Sequence, residues 1–289
     1  MQFRLIVEGR DDARDGASNM AVDEALLESA VNPDATPTLR LYHFRRPTVT
    51  FGYGQDVAQA VNENACRDLG VECVRRITGG RALLHGDELT YSVAAPRGAR
   101  SVKSTYNSVS GAVREALERL GVPLDPPRAR SKDQTTRAGR HLPCLAAPAG
   151  HEITTGGRKV VASALRFRRR GFLTHGSILW SIDRRLSKQV TRLGEQDPLT
   201  AVGIRELAAF TPAFGEAELV EALSSAFEEL LGGPAMPGTL SPEESQRVSN
   251  LTEKYRSEGW TNRRDPGSHL VDNSEAVWLK SFSAIVLCR

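Results

Sequence analysis

The sequence predicts an α+β fold: a sheet-rich first hundred residues, a second group of strands near residues 151–182, and a largely helical C-terminal third. Two observations carry this. Short alternating segments rich in aromatic and β-branched residues recur through 37–54, 71–92 and 151–182. Apolar residues at helical spacing occupy 106–120 and 216–231, and a capping signature opens a further helix at Ser241. With 289 residues, 40% of them hydrophobic, the chain can bury one large core with a small appendage.

Taken in order, Ser18 or Asn19 caps a first helix that runs to about Ala30, with Ala21, Ala25, Leu26 and Ser29 recurring beside Asp23 and Glu24 near its positive end. "PTLRLYHF" (37–44) and "TVTFGYG" (48–54) alternate as two short strands, and "VECVRRI" (71–77) adds a third. "ALLH" and "LTYSV" flank Gly86 and Asp87 as a predicted hairpin. Tyr106, Val109, Val113, Ala116, Leu117 and Leu120 stripe one face of a helix that packs on the sheet and ends at Gly121. Residues 122–143 are proline-rich, polar and without a period, which marks an unusually long connection, either a mobile functional loop or a partly disordered one. "HEITT", "GG" and "RKVVASALRF" form a hairpin, because paired glycines supply the positive φ of a tight turn, and "GFLTHGSILWSI" (171–182) supplies another strand. Beyond the helix 216–231, Ser241, Pro242 and Glu244 make a capping box. From Arg264 the pattern weakens, and "SFSAIVLCR" is a last strand or a tail.

The net charge of +3 helps capture acidic protein partners but is too small to argue for nucleic acid, and no aromatic-and-basic stacking pattern is present. No apolar run is long enough for a signal segment or a membrane span, as expected of a soluble, cytoplasmic protein. Cys66, Cys73, Cys144 and Cys288 form no CxxC pair and stand at no zinc-finger interval from a histidine, so reduced thiols are expected and no metal.

Two constellations carry possible chemistry. In "RRITGGRALLHGDELTYS" (75–92), two arginines leave a strand and meet Gly79 and Gly80, where bare backbone N–H groups can approach a carboxylate, phosphate or carbonyl oxygen; glycines needed only for a turn read the same way. In the second, Cys144 precedes Lys159 across the hairpin, and an ammonium close to a thiol favours the nucleophilic thiolate. Lys159 shares a strand face with Val161, Ser163, Leu165 and Phe167 and so points inward; a buried inert thiol and a snorkelling lysine fit the spacing equally. His141 and His151 flank Cys144 and offer a Cys–His pair instead. No G-x-S-x-G, P-loop or H-E-x-x-H motif occurs. "RFRRRG" (166–171) is a solvated hairpin tip or a dock for an acidic carrier, and "FGYGQ" (51–55) is a strand end or a pocket wall presenting Tyr53 and Gln55.

Five blocks, "NMAVDEALL", "PTLRLYHFRRPTVTFGYGQ", "VRRITGGRALLHGDELTYSV", "CLAAPAGHEITTGGRKVVASA" and "THGSILW", occur in an order that resembles the lipoate-protein ligase and octanoyltransferase superfamily. "SPEESQRVSNLTEKYRSEGWTNRR" resembles the helical C-terminal part of its LipM-type octanoyltransferases, and the likeness covers roughly residues 1–264. It implies the biotin and lipoate protein ligase catalytic domain, a class II aminoacyl-tRNA synthetase-like mixed β-sheet flanked by helices, over 1–235, with a helical extension at 236–264 and a tail of unassigned role at 265–289. It also implies an acyl-binding site drawn from Arg75, Arg76, Thr78, Gly79, Gly80, Arg81 and His85, joined by Ser163, Ala164, His175 and Gly176.

By the same resemblance, Lys159 is the lysine that ATP-dependent ligases use on an acyl adenylate, while Cys144 matches the acyl-thioester cysteine of the transferases and is typically absent from the ligases. The family's K-x-x-G-S-A-Q reads "KVVASAL" here, with Ala162 for Gly and Leu165 for Gln, and Leu145 replaces an aromatic. The implied activity is transfer of octanoyl from octanoyl-acyl carrier protein to a lysine of a lipoyl domain or of the glycine cleavage H protein, through a Cys144 thioester. Thioester to amide is downhill, so no cofactor, neither ATP nor metal, is expected. Ligation through an adenylate, amidotransfer between lipoyl-type proteins and non-catalytic acyl binding are the competing expectations.

Overall fold

The structure, a computed structural model, describes residues 2–127, 152–192, 200–208 and 210–262. Cys144, His141, His151, most of the connection 122–143 and the segment from Arg264 onward lie outside the described residues. In chain order the elements are β1 (Phe3–Val7), α1 (Gly16–Ser29), β2 (Thr38–Tyr42), β3 (Thr48–Phe51), α2 (Val57–Ala60), α3 (Glu63–Asp68), β4 (Glu72–Arg75), β5 (Leu83–His85), β6 (Glu88–Pro96) and α4 (Val102–Arg119). They continue as β7 (Ile153–Thr155), β8 (Arg158–Phe167), β9 (Gly171–Leu179), α5 (Arg184–Val190), α6 (Glu216–Leu231), β10 (Ala235–Pro237), α7 (Pro242–Arg256) and α8 (Glu258–Thr261).

Seven strands form a mixed sheet in the order β10-β1-β2-β6-β9-β8-β7, and a small second sheet runs β4-β3-β5. Alternation along β2 and β6 sends Leu39, Leu41, Tyr91 and Val93 to one face, where Val109, Val113 and Leu117 of α4 and Leu219, Leu223 and Phe227 of α6 cover them. On the other face Tyr42, Ala94 and Leu173 meet Ala21, Val22 and Ala25 of α1, with Val248 and Tyr255 of α7 and Trp260 of α8 completing that layer. Among the described residues no helix is long and apolar enough to cross a membrane.

Turn chemistry fixes the hairpin that presents Lys159. Gly156 and Gly157 have φ of 54° and 73°, so β7 and β8 pair through a two-residue turn. Asp125 holds that turn by accepting from the Gly156 and Gly157 amides at 2.9 and 2.8 Å and from Thr154 Oγ1 at 2.8 Å.

Several expectations are corrected. Asp15, not Ser18 or Asn19, caps α1, accepting from the Ser18 amide at 2.7 Å. The segments around Gly86 do not form a hairpin: β5 pairs with β3, and β6 pairs with β2 and β9, so the turn crosses from one sheet to the other. Asp23 and Glu24 lie buried in mid-helix rather than at a solvated N-terminus. Helices α2, α3 and α5 and strand β10 carry too few residues for a sequence period to show them.

The helices beyond β10 are bonded into the same body. Arg4 of β1 forms a bidentate pair with Glu244 of α7, both contacts at 2.7 Å. Trp260 of α8 donates its indole N–H to the Arg75 carbonyl at 2.8 Å, and Arg75 Nε donates back to the Trp260 carbonyl at 3.1 Å. Trp260→Ala removes a buried aromatic and leaves the Arg75 carbonyl without its donor; it is expected to lower unfolding stability by about 3–5 kcal/mol, read from denaturant midpoints.

Candidate active site

The end of β4, the double-glycine loop after it, β5 and the paired strands β8 and β9 surround a narrow cavity of about 30 Å³. Met20, Phe44, Leu83, Ala162 and Ala164 give it apolar walls, while Arg76, His85 and His175 supply polar atoms. Gly79 and Gly80 are exposed at its lip. Gly80 takes φ of 90°, and a Cβ there would sit 2.8 Å from the Arg76 guanidinium, so the loop requires glycine. A Cβ on Gly52 would lie 2.1 Å from the Gly80 carbonyl oxygen, which identifies "FGYGQ" as a strand end packed edge-on against the loop.

Arg76 organises this wall. Its guanidinium donates to the Gly79 and Arg81 carbonyls, both at 2.8 Å, folding the loop back over the side chain. It also donates to Thr50 Oγ1 at 3.2 Å and to Thr78 Oγ1 at 3.1 Å. Each hydroxyl keeps its own proton for a histidine: Thr50 Oγ1 lies 2.8 Å from His85 Nε2, and Thr78 Oγ1 lies 2.7 Å from His175 Nε2. That assignment makes both Nε2 atoms acceptors and both Nδ1 atoms donors. Their Nδ1 partners are carboxylates, Glu88 at 2.9 Å from His85 and Asp23 at 2.8 Å from His175. Burial, aided by the Arg76 charge, lowers the His85 pKa against the opposing pull of Glu88. The cavity therefore meets a neutral imidazole at His85.

The relay continues into the core. Arg40, fully buried, reaches Asp23 Oδ1 at 3.2 Å and Glu8 Oε2 at 2.9 Å, and Tyr42 donates to Asp23 Oδ2 at 3.0 Å. Burial pushes the Asp23 carboxyl up, but the hydrogen bond from His175 and the Arg40 charge more than offset it and hold the group below its ordinary value.

Lys159 lies on β8, 1% exposed and inward as expected, in a stretch, 159–162, that is buried on both faces. Its Nζ stands 2.6 Å from Glu152 Oε1, immediately before β7. Its backbone is pinned on the side away from β7, its amide donating to the Thr200 carbonyl at 2.8 Å and its carbonyl accepting from Val202 at 2.9 Å. Along the same strand Ala162 packs with Leu83, Leu179 and Ala201, so one short stretch of β8 carries both the lysine and part of the cavity wall.

The family model for the lipoyl protein ligase A/B catalytic domain matches residues 15–228. The chain belongs to the lipoyl protein ligase A/B family. Over 278 residues it is 35% identical to the octanoyltransferase LipM of Kyrpidia tusciae, covering 91% of this chain and 99% of that one. It is 34% identical to the octanoyltransferase LipM of Moorella thermoacetica, covering 91% and 98%. Lipoate-protein ligase A bound with ATP shares the fold at a TM-score of 0.73 and 22% identity, over 92% of this chain and 100% of that one. The bipartite lipoate protein ligase of Thermoplasma acidophilum does so at 0.73 and 20%, over 94% and 100%.

Within this family frame the expected site residues separate. Arg76, His85, Ser163, Ala164, His175 and Gly176 line the cavity; Thr78, Gly79 and Arg81 reach it through the Arg76 and His175 bonds, and Gly80 lies between the two carbonyls that Arg76 holds. Arg75 does not line the cavity: its guanidinium turns the other way, onto the carbonyls of Gly52, Tyr53, Gln55, Trp260 and Thr261. Ser163 bonds the Tyr91 hydroxyl at 2.7 Å. Of the two departures beside Lys159, Ala162 borders the cavity, whereas Leu165 packs into the core under α4 and α6. Among the described residues no cluster of His, Cys, Asp or Glu could hold a metal ion. Cys66 and Cys73 are free thiols away from the cavity, and burial pushes Cys66 up to about 11.

Sequence reading missed Asp23, Arg40, Tyr42, Thr50, Glu88 and Glu152. One signal was available: alternation in "TLRLY" places Arg40 and Tyr42 on the face opposite Leu39 and Leu41, and α1 covers that face too.

The lowered His85 pKa sets a pH dependence. The unfolded chain takes up this proton near the ordinary value of 6.5, while the folded chain resists it. The stability that goes with neutral burial is complete above that value and is lost as pH falls below it. Melting temperature is expected to drop between pH 7 and pH 5 in the wild type, and His85→Gln should flatten that slope in calorimetric scans.

Proposed function

We propose that this chain is an octanoyltransferase that moves an octanoyl group from an acyl carrier protein thioester to a lysine amine of a lipoyl domain or glycine cleavage H protein. The observation that carries the reading is end-to-end similarity to relatives named octanoyltransferase LipM, matched over 91% of this chain. The cavity's apolar walls and neutral His85 suit an uncharged acyl chain, and a buried lysine on the neighbouring stretch of strand suits a thiolate partner.

In this reading Cys144, outside the described residues, is the nucleophile. Its thiolate attacks the thioester carbonyl, a carbon–sulfur bond to Cys144 forms, the bond to the carrier sulfur breaks, and the carrier leaves as a thiol with the proton Cys144 gave up. The acceptor amine then attacks the acyl-cysteine, a carbon–nitrogen bond forms and the Cys144–acyl bond breaks. Lys159, held by Glu152, relays the proton from the attacking nitrogen to the departing sulfur, so its own charge is unchanged at the end. Backbone N–H groups near Gly79, Gly80 or Ala164 are the candidates to receive the oxyanion.

Incubation with octanoyl-carrier protein and acceptor in the absence of ATP is expected to place an octanoyl group on Cys144 by intact mass, and Cys144→Ala should abolish both label and transfer. Transfer that survives in the variant and demands ATP identifies a ligase instead, and neither label nor transfer identifies a binder. Ala162→Gly removes a methyl from the cavity wall; kcat/KM for a decanoyl donor is expected to rise relative to octanoyl, at a stability cost of about 0.5–1 kcal/mol.

A further inference from the structure

Basic side chains are distributed unevenly over this surface. Arg166 near the end of β8 and Arg168, Arg169 and Arg170 in the turn to β9 stand beside Arg97 and Arg100 of the β6–α4 connection and Lys103 in the first turn of α4, with no Asp or Glu in 95–104 or 156–171. The two segments touch: the Arg97 amide donates to the Arg170 carbonyl at 2.6 Å, and the Arg97 guanidinium lies 5.1 Å from the Phe167 ring. Arg100, Lys103, Arg169 and Arg170 are exposed. The chain as a whole carries only +3, so with these seven cations set aside the remainder is net negative. A local field of one sign on such a background steers and orients an oppositely charged partner.

The patch is tied to the cavity by one face of β8. Ala162 and Ala164 line the cavity. Two residues on, Arg166 stands 5.3 Å from the ring of Tyr53, which follows Gly52 at the double-glycine loop. Two further on, Arg168 reaches toward Glu24 of α1 at 4.0 Å. At about 3.3 Å per residue, β8 runs roughly 10 Å past Ala164 before the chain turns back, and the exposed Arg169 and Arg170 lie in that turn. A partner seated on the tip can deliver a group to the cavity only on a long flexible tether. An acceptor lysine, with its four-carbon stem, must instead dock at the cavity mouth.

We propose that the β8–β9 tip and the β6–α4 connection together form the docking surface for the acyl donor, an acidic protein carrying its acyl group as a thioester on a pantetheine-type arm that runs along β8 into the cavity. This rests on the transferase reading above.

Fluorescence anisotropy of labelled octanoyl-carrier protein tests docking apart from chemistry. The wild-type chain is expected to bind it with an affinity that weakens as salt is raised. The triple variant Arg100→Glu, Arg169→Glu, Arg170→Glu should bind at least tenfold more weakly, and the corresponding triple Lys variant should bind as the wild type does. Thermal melts check that the variants are folded, and Arg170→Glu alone, expected to weaken binding in part, serves if the triple variant is not. Equal donor binding by the folded charge-reversed variants, loss restricted to the acceptor domain or to DNA, or no donor binding by the wild type overturns the proposal. Transfer from octanoyl-pantetheine by the wild type reports the chemistry alone: its absence counts against the transferase reading, and the anisotropy result still decides docking.

Discussion

The cavity depends on how the Arg76 guanidinium is spent. Buried and planar, it must place its N–H groups on acceptors, and it finds them in two directions. Toward the loop it gathers the Gly79 and Arg81 carbonyls, which sets the shape of the lip. Toward the sheets it takes one oxygen from Thr50 and one from Thr78, which leaves each threonine a single proton to give to a histidine. Two carboxylates, Glu88 and Asp23, close the far ends of the resulting relays. One fixed cation thus decides the orientation of two imidazoles on different sheets. A lysine at this position has three donors and no plane, and could not hold both threonines and both carbonyls in one geometry.

Desolvation gives this arrangement its cost and its use. Arg40, Asp23 and Glu8 form a buried ion group whose removal from water is expensive and whose mutual attraction only repays part of it. Breaking one member would strand the others, so the group acts as a rigid footing for His175 more than as a source of net stability. Rigidity matters at a narrow, largely apolar cavity, because the few polar groups that face it must hold their places to orient anything bound there.

The parts of this fold legible in the sequence are those fixed by local chemistry. The Gly156–Gly157 turn, the α6 stripe and the Ser241 capping box are each written within a few residues, and each forms as read. What local reading cannot see is which strand a segment pairs with. Leu83–His85 looks like one arm of a hairpin, yet its partner is β3, more than thirty residues earlier, because the two segments around Gly86 belong to different sheets. The candidate site divides in the same way. Gly79, Gly80 and Lys159 stand out because glycine pairs and inward lysines are unusual in any context. Asp23 and Glu88 do not, since an acid in a helix or beside a turn reads as a solvated group until the element that covers it is known.

The neighbouring arginines show the same limit most sharply. Arg75 and Arg76 are adjacent at the end of β4, and a strand's two-residue period sends consecutive side chains to opposite faces. One face meets the cavity; the other meets α8, where Arg75 collects carbonyls from the β3 end and from Trp260 and Thr261. Trp260 returns the contact by donating to the Arg75 backbone. The C-terminal helices therefore grip the strand residue next to the one that shapes the lip, and a shift of α8 would reach Arg76 through a single peptide unit. The sequence pair "RR" has two unlike tasks, one joining the helical extension to the small sheet and one building the cavity wall, and it is the strand's alternation, not the chemistry of arginine, that assigns them.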